Sequence, residues 1–306
     1  MKIDSAKIEA LRELLAAPHR KIVLVAHTNP DGDAIGASTA WRDVLAAMGH
    51  EVTMIVPNKY PYFLDWMPDI REVVIFRFAP ERALEAIRGA DIVFCLDFNS
   101  SSTCFLLYCI IEQLCGTEVI TRKMAEALYV GMMTDTGNFS FSFLTPALYR
   151  ALAVLVEKGI DVAGIHNSVY NGYTEDRARL FGYAIHRKMN IIQEGTAAYM
   201  SLTEAEMRRY RFQQGDSEGF VNYPLTIKKM KMSAMFLGHH KFIRVSLRSR
   251  GDVDVNLFAR KYFDGGGHKN AAGGKSYVSM DETIAHYIRS VEEFACEGGL
   301  DTPPLR

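Results

Sequence analysis

The stretch Lys21-Ile-Val-Leu-Val-Ala-His-Thr-Asn-Pro-Asp-Gly-Asp33 carries the most information in this sequence. Lys21–Ala26 is mostly apolar and rich in β-branched residues, and a short run of this kind before turn residues predicts a buried strand over these six residues. The segment Asn29-Pro-Asp-Gly32 predicts a loop, and the apolar spacing from Ala34 to Met48 predicts a helix closed by Gly49. A strand, a loop and a helix in this order are typical of a parallel sheet with crossover helices.

The same alternation continues through the first half of the chain. Glu51–Val56 and Asp91–Asp97 predict two further strands, and Glu81–Gly89 predicts a helix between them. The predicted fold class is therefore α/β, with a mostly parallel sheet and flanking helices. In such sheets ligands bind at the carboxyl ends of the strands, which is where His27 and Asp97 fall.

The second half of the chain has a different pattern. Residues 174–191 predict one long helix, several short alternating runs predict strands, and residues 279–294 predict a terminal helix. Since 306 residues correspond to about two domains of ordinary size, we predict domains over 1–190 and 191–306, joined by the long helix. The second domain is expected to be a smaller α+β unit with a largely antiparallel sheet.

The composition excludes several classes of protein. With 48% hydrophobic residues the chain is not globally disordered, and its longest apolar run, Cys104–Ile111, is too short for a membrane span. Five cysteines without a CxxC pair, and an N-terminus without an apolar signal core, lead us to expect a cytoplasmic protein. A net charge of −1 argues against a protein that coats DNA.

Acidic residues and one histidine gather around the predicted sheet edge. His27, Asp31 and Asp33 lie in one loop, Asp97 ends a buried strand, and Asp135 follows a further apolar stretch. Carboxylates with a histidine favour a divalent ion such as Mn²⁺. Two ions bridged by a carboxylate bind a phosphate, polarise it and generate hydroxide near neutral pH, and Asp97 is the candidate bridge. The alternative is a plain strand-to-helix turn with Asp33 as the helix N-cap.

These residues resemble the DHH phosphoesterase superfamily. His27-Thr-Asn-Pro-Asp-Gly-Asp33 is similar to its first motif, Cys95-Leu-Asp-Phe-Asn99 to its second and Met133-Thr-Asp-Thr-Gly137 to its fourth. The resemblance implies two Mn²⁺ ions, with Mg²⁺ or Co²⁺ as alternatives, and catalytic roles for Asp97 and Asp33. It also implies two ligand sets: His27, Asp31 and Asp97 for one ion, and Asp33, Asp97 and Asp135 for the other.

The Asp-His-His motif that gives this family its name is absent. Asp97-Phe-Asn-Ser100 runs directly into Ser101-Ser-Thr-Cys104, and the adjacent pair His239 and His240 predicts a hairpin turn instead. Two interpretations stay open. Either the chain is a degenerate member that binds nucleotides without hydrolysing them, or the sequence lacks a segment beside Ser100 that carries part of the active site.

The C-terminal half carries a basic stretch and a glycine-rich loop. Between Gly219 and Gly251 there are seven Lys or Arg residues and no Asp or Glu, which favours either a phosphate-binding surface or a solvated strand face. In Asp264-Gly-Gly-Gly-His-Lys-Asn-Ala-Ala-Gly-Gly274 the glycines allow close backbone approach, and we expect a short helix after them to offer amides to an anion.

Together these segments resemble the DHH-associated C-terminal domain, most closely in the branch of nano-RNases and 3′-phosphoadenosine-5′-phosphate (pAp) phosphatases, also called exopolyphosphatase-related. The resemblance implies that this domain holds base, sugar or phosphate across an interdomain cleft. The residues implied in substrate binding are Arg248, Ser249, Asn256, Gly265, Gly266, Gly267 and His268.

The resemblance implies a manganese-dependent phosphoesterase of the 3′–5′ exoribonuclease type, acting on short RNA or DNA oligonucleotides, on nucleotides such as pAp, or on both. We expect no membrane partner, and a homodimer is one option for its assembly. The alternatives are the nucleotide-binding pseudoenzyme, a cyclic-dinucleotide phosphodiesterase, and a polyphosphate or pyrophosphate hydrolase. A Rossmann dehydrogenase is disfavoured because Gly32-Asp-Ala-Ile-Gly36 lacks the GxGxxG spacing.

Overall fold

The computed structural model describes residues 2–98, 102–140 and 144–300. The chain divides into two compact units, Met1–Gly172 and Tyr173–Arg306. Every helix in the described ranges is too short or too polar to cross a lipid bilayer.

The first unit contains a parallel sheet with helices packed on it. Its strands are β1 (Lys21–Ala26), β2 (Glu51–Val56), β3 (Val74–Ile75) and β4 (Ile92–Leu96). Its helices are α1 (Ser5–Leu15), α2 (Gly32–Ala47), α3 (Pro80–Arg88), α4 (Thr103–Cys115), α5 (Arg122–Asp135), α6 (Pro146–Glu157) and α7 (Val162–His166).

All four strands run parallel, in the order β3–β2–β1–β4. This confirms the predicted α/β class, and the predicted bounds of β1 and β2 match those observed. Strand β1 lies between β2 and β4, and Ala26 at its carboxyl end is paired with Leu96 at the end of β4. The residues that follow these two strands therefore emerge side by side at one edge of the sheet.

Close packing of helices α2 and α5 forms the core beside this edge. Helix α2 is buried along most of its length, and Gly36 lies so close to α5 that an added Cβ would stand 2.4 Å from the carbonyl oxygen of Ala127. Glycine therefore permits an approach that any side chain would block. The result is that the start of α2 lies beside the end of α5, where Asp135 is the last helical residue.

The second unit contains a six-stranded sheet in the order β5–β6–β7–β8–β10–β9. Its strands are β5 (Asn190–Ile192), β6 (Ala197–Leu202), β7 (Met232–His239), β8 (Phe242–Ser249), β9 (Gly266–His268) and β10 (Ala271–Ser276). Its helices are α8 (Glu175–Tyr183), α9 (Glu204–Arg209), α10 (Val255–Tyr262) and α11 (Met280–Cys296). The β6–β7 pair is parallel and the other pairs are antiparallel, as the prediction of a largely antiparallel sheet requires.

Three local predictions need comment. His239 and His240 lie at the β7–β8 hairpin, as predicted. The helix predicted over 174–191 is present but ends three residues earlier: α8 continues as π-helical turns over Ala184–Lys188, and β5 follows. The short helix predicted after the glycine triplet is wrong, because residues 266–276 form the antiparallel pair β9–β10.

The predicted domain boundary at residue 190 differs from the observed division at residue 172. Helix α8 belongs with the second unit because Leu180 and Ala184 are fully buried against Met200 and Leu202 of β6. Arg177 also donates a hydrogen bond from its guanidinium to the carbonyl of Glu218, at 2.8 Å. These contacts tie the predicted connecting helix to the C-terminal fold.

Candidate metal centre

His27 and Asp97 meet because they follow the paired ends of β1 and β4. His27 Nε2 lies 3.2 Å from an Asp97 carboxylate oxygen, and His27 Nδ1 lies 3.0 Å from the carbonyl oxygen of Thr28. The hydrogen bond with Asp97 raises the pKa of His27 to about 9, despite the opposing effect of burial. Asp97 has a φ of 62°, a left-handed conformation that side chains rarely adopt and that is common at functional sites.

Asp31 forms the N-cap of α2 and faces the same point. Its Oδ1 accepts hydrogen bonds from the backbone N–H groups of Asp33 (3.0 Å) and Ala34 (3.1 Å). The N-cap is thus Asp31 and not Asp33, because α2 begins at Gly32. Although Asp31 has exposed surface, the protein packed around its carboxylate raises its pKa above the usual value, and the charge of Asp97 adds to this effect.

These three residues fit a divalent cation. One ligand atom from each of His27, Asp31 and Asp97 lies within 4.8 Å of the others. Two carboxylate oxygens and one imidazole nitrogen are a donor set suited to Mn²⁺ and similar ions. Because Nδ1 of His27 donates to a backbone carbonyl, Nε2 is the nitrogen directed at the candidate ion. The first predicted ligand set is therefore brought together.

The second predicted ligand set is arranged differently. Asp33 is 2% exposed, and its two carboxylate oxygens accept hydrogen bonds from the backbone N–H groups of Thr103 (2.5 Å) and Cys104 (2.8 Å). An Asp135 oxygen accepts from the N–H of Ser102 at 3.1 Å. These donors are the first N–H groups of α4 and its N-cap, which have no partner inside the helix. The start of α4 thus faces both acids.

The charges in this second set are nevertheless close to one another. Burial, together with the negative charges of Asp135 and Asp97, raises the pKa of Asp33 to about 8. Within the part of the chain that the structure describes, Asp33, Asp97 and Asp135 do not meet the ligand spacing that the first set meets. The positive end of the α4 dipole faces Asp33 and Asp135.

Three residues at the start of α4 were missed by the sequence reasoning as parts of this site. The Thr103 hydroxyl donates to Asp97 (2.9 Å), and the amides of Ser102 and Cys104 bind the other two acids, as given above. The helix-cap pattern of Ser-Ser-Thr was visible in the sequence. The partners of these N–H groups could not be seen in the sequence, because Asp33 lies 70 residues before Thr103. Gly131 completes the packing, since an added Cβ would lie 2.1 Å from Cys104 Sγ.

The junction where the Asp-His-His motif is missing falls beside Ser100. Residues 99–101, including Ser100, lie outside the described residues. On either side of the junction, Asp97 and Thr103 are joined by the hydrogen bond given above.

Among the predicted substrate-binding residues, two are engaged in the fold itself. Ser249 is buried, and its hydroxyl donates to the carbonyl of Val253 at 2.6 Å. Asn256 Oδ1 accepts from the N–H of Gly267 at 3.0 Å and from Arg260 Nε at 3.3 Å. Both side chains therefore shape the glycine segment.

The remaining predicted residues lie on or beside β8 and β9. Arg248 is half-buried on β8, and His268 is exposed on β9, where it pairs with Ala271. Gly265 and Gly266 lie beside Gly273, and a Cβ at Gly265 would stand 2.0 Å from the carbonyl oxygen of Gly273. Gly267 has a φ of 150°, which favours glycine.

The parallel sheet and its edge cluster define an α/β protein with a candidate cation site at the carboxyl ends of β1 and β4. The chain belongs to the DHH family: the DHH family N-terminal domain matches residues 21–121, and the DHHA1 domain matches residues 195–295.

Relatives along nearly the full chain carry related names. The "Bifunctional oligoribonuclease and PAP phosphatase NrnA" of Thermus thermophilus is 25% identical, with 96% of each chain covered. A "Probable bifunctional oligoribonuclease and PAP phosphatase NrnA" of Streptococcus mutans is 23% identical, over 88% of this chain and 94% of the relative. A crystal structure described as an exopolyphosphatase-related protein from Bacteroides fragilis is 34% identical with a TM-score of 0.88, over 95% of this chain and 97% of that one.

Proposed function

We propose that this chain is a metal-dependent phosphoesterase that hydrolyses short oligonucleotides, pAp, or both. The observation that carries the proposal is the cluster of His27, Asp31 and Asp97 at the carboxyl edge of a parallel sheet. The names of the Thermus and Streptococcus relatives support the choice of substrates.

In this proposal the chain's own residues prepare the site. A divalent ion there, Mn²⁺ with Mg²⁺ or Co²⁺ as alternatives, supplies positive charge that binds and polarises a phosphoryl group and activates water. Thr28 orients the imidazole of His27 through its carbonyl. Thr103 and His27 orient the carboxylate of Asp97 from two sides. Asp33 accepts the N–H groups of Thr103 and Cys104 and so fixes the start of α4, which carries the Thr103 hydroxyl, beside Asp97.

The test is an assay of the whole chain with Mn²⁺ against short RNA, pAp, a cyclic dinucleotide and polyphosphate. We expect turnover of short RNA or pAp. Turnover confined to the cyclic dinucleotide or to polyphosphate would replace the proposed substrates by that class. Asp97→Ala should lose both metal and turnover while its circular dichroism spectrum stays unchanged. Full activity in this variant would contradict the site.

A second candidate function is nucleotide binding without hydrolysis. It is favoured by the hydrogen bonds from α4 to Asp33 and Asp135, which take the place of a second ion, and by the absence of the Asp-His-His motif. Under this alternative, pAp or short RNA binds tightly and remains intact after prolonged incubation with Mn²⁺. Calorimetric titration together with chromatography of the recovered ligand separates the two functions.

A further inference from the structure

The sheet of the second unit leaves one half of one face open. Along β8 the side chains alternate: Ile243, Val245 and Leu247 are buried in the core, whereas the residues between them have solvent-accessible surface. The accessible residues are Phe242, Arg244, Ser246 and Arg248. Since neighbours two apart on a strand share a face, these four form one row.

Strand β10 extends the row sideways with small residues and one more cation. Lys275 is paired with Arg244, Gly273 with Ser246, and Ala271 with Arg248. Directly paired residues on antiparallel strands share a face. The open face therefore has small residues in its middle and cations at both ends. We name this surface the basic strip and define it by Phe242, Arg244, Ser246, Arg248, Ala271, Gly273 and Lys275.

Two of the cations have no acidic partner. Within the described ranges neither Arg244 nor Lys275 forms an ion pair, and Lys275 instead places its ammonium 5.1 Å from the ring centre of Phe242. From Arg244 to Arg248 the strand spans about 13 Å. The row of positive charges is therefore longer than a site for a single phosphate group needs to be.

The strip adjoins a cavity that aromatic side chains line together with other residues, including the acidic Glu204. His239 stacks on Phe242 with ring centres 5.0 Å apart, and both line this cavity of about 330 Å³ beside the hairpin. Tyr277, 73% exposed, also lines it. Aromatic side chains next to cations are the usual means of binding single-stranded nucleic acid, because each base offers a face for stacking and each phosphate a negative charge.

We propose that the basic strip binds the additional nucleotides of a single-stranded oligonucleotide, with Arg244 and Lys275 contacting phosphate groups and the Phe242–His239 pair stacking a base. This proposal rests on the proposed function, and it adds a site for substrate beyond the first nucleotide. The predicted substrate residues Arg248 and His268 lie at the opposite end of the strip from Phe242.

The experiment compares ligands of different length in EDTA, which prevents hydrolysis. Fluorescently labelled pAp and a labelled pentaribonucleotide are titrated with the whole chain and with Arg244→Ser/Lys275→Ser. The control, Lys228→Ser/Lys229→Ser, removes two exposed charges outside the strip. We expect the strip variant to bind the pentanucleotide about tenfold more weakly and pAp within about twofold of wild type. The slope of log K against log salt for the pentanucleotide should become shallower by about 1.4.

Each other outcome has a distinct meaning. An equal loss for pAp and the pentanucleotide, an equal loss in the control, or no loss at all overturns the strip as a site for additional nucleotides. Wild-type binding of pAp without any gain for the pentanucleotide also overturns it, and leaves the proposed function standing. Wild-type binding of neither ligand in EDTA overturns the strip as a site for additional nucleotides, whereas the proposed function, in which the ion binds the phosphate, is tested separately by the turnover assay with Mn²⁺.

Discussion

The two groups of acids at the edge of the parallel sheet are adjacent, yet their negative charge is balanced in different ways. His27, Asp31 and Asp97 direct ligand atoms toward one another within 4.8 Å, as a cation site requires. Asp33 and Asp135 instead receive the N–H groups at the start of α4. A helix N-terminus offers partial positive charge without an ion. Carboxylates of neighbouring motifs can therefore have their charge balanced in different ways.

The largest expected effect is on metal affinity. If it is absent, the difference between the two groups of acids is contradicted. His27→Ala removes a proposed ligand, and we expect its Mn²⁺ affinity to fall by about 100-fold or more, since loss of even an outer partner costs about 10- to 100-fold. Asp135→Asn should change the affinity by less than about tenfold, because Asp135 faces α4. Calorimetric titration with Mn²⁺ measures both, and equal losses would show that the two acid sets act as one site.

The next effect concerns the stability of the ion-free protein. Asp33→Ala leaves the buried N–H groups of Thr103 and Cys104 without acceptors, which we expect to cost about 2–3 kcal/mol of unfolding free energy. Asp33→Asn keeps one acceptor oxygen and resembles the protonated acid, so it should cost less than about 1.5 kcal/mol. Urea denaturation in EDTA measures both variants. Equal stability of Asp33→Ala and wild type would contradict the role assigned to α4.

A third prediction tests the close helix contact that places the second acid set. Gly36→Ala would put a Cβ 2.4 Å from the backbone oxygen of Ala127, and we expect a loss of about 2 kcal/mol from overpacking. The matched control is Gly182→Ala in α8, where an added Cβ has open space. This control should raise the unfolding free energy by about 0.5–1 kcal/mol. Thermal and urea unfolding measure the stability of both variants. Equal stability of Gly36→Ala and wild type would contradict the close contact between α2 and α5.

The smallest expected effect concerns the pKa of a third carboxylate, Glu206, which is shifted in the opposite direction from that of Asp33. Burial alone would raise the pKa of Glu206, but hydrogen bonds from the Thr203 N–H, the Tyr183 hydroxyl and the Lys188 ammonium lower it to about 2. A lowered pKa stabilises the fold above the ordinary value of 4.5, and this contribution is lost as the pH falls toward 2. Glu206→Gln should therefore remove about 1 kcal/mol at pH 7 and little at pH 2.5, as urea unfolding at both values will measure.

Several features of the first unit could be predicted because they depend on neighbouring residues alone. The bounds of β1 and β2 follow from short apolar runs between turn residues. The meeting of His27 with Asp97 follows from a general property of parallel sheets, whose carboxyl ends share one edge. In the second unit, alternation alone predicted the strands β6, β7 and β8.

One prediction in the second unit failed because strand pairing outweighed the local pattern. The helix expected after Gly265–Gly267 is a strand, since pairing of Gly266 with Gly273 overrides the local preference. The roles of Ser249 and Asn256 in substrate binding stay predictions, and the hydrogen bonds of these side chains with Val253 and Gly267 are seen only in the folded domain.

The sequence by itself determined the strand–loop–helix order, the family resemblance and the residues that gather at the sheet edge, because these depend on local pattern and on the fixed direction of strands. Only the tertiary structure decided which acids lie with His27 at ligand spacing and which face α4. That choice depends on how closely α2, α4 and α5 pack, and glycines at positions 36 and 131 make this packing possible. Close approach between distant segments is a property of the whole fold, so no local pattern records it.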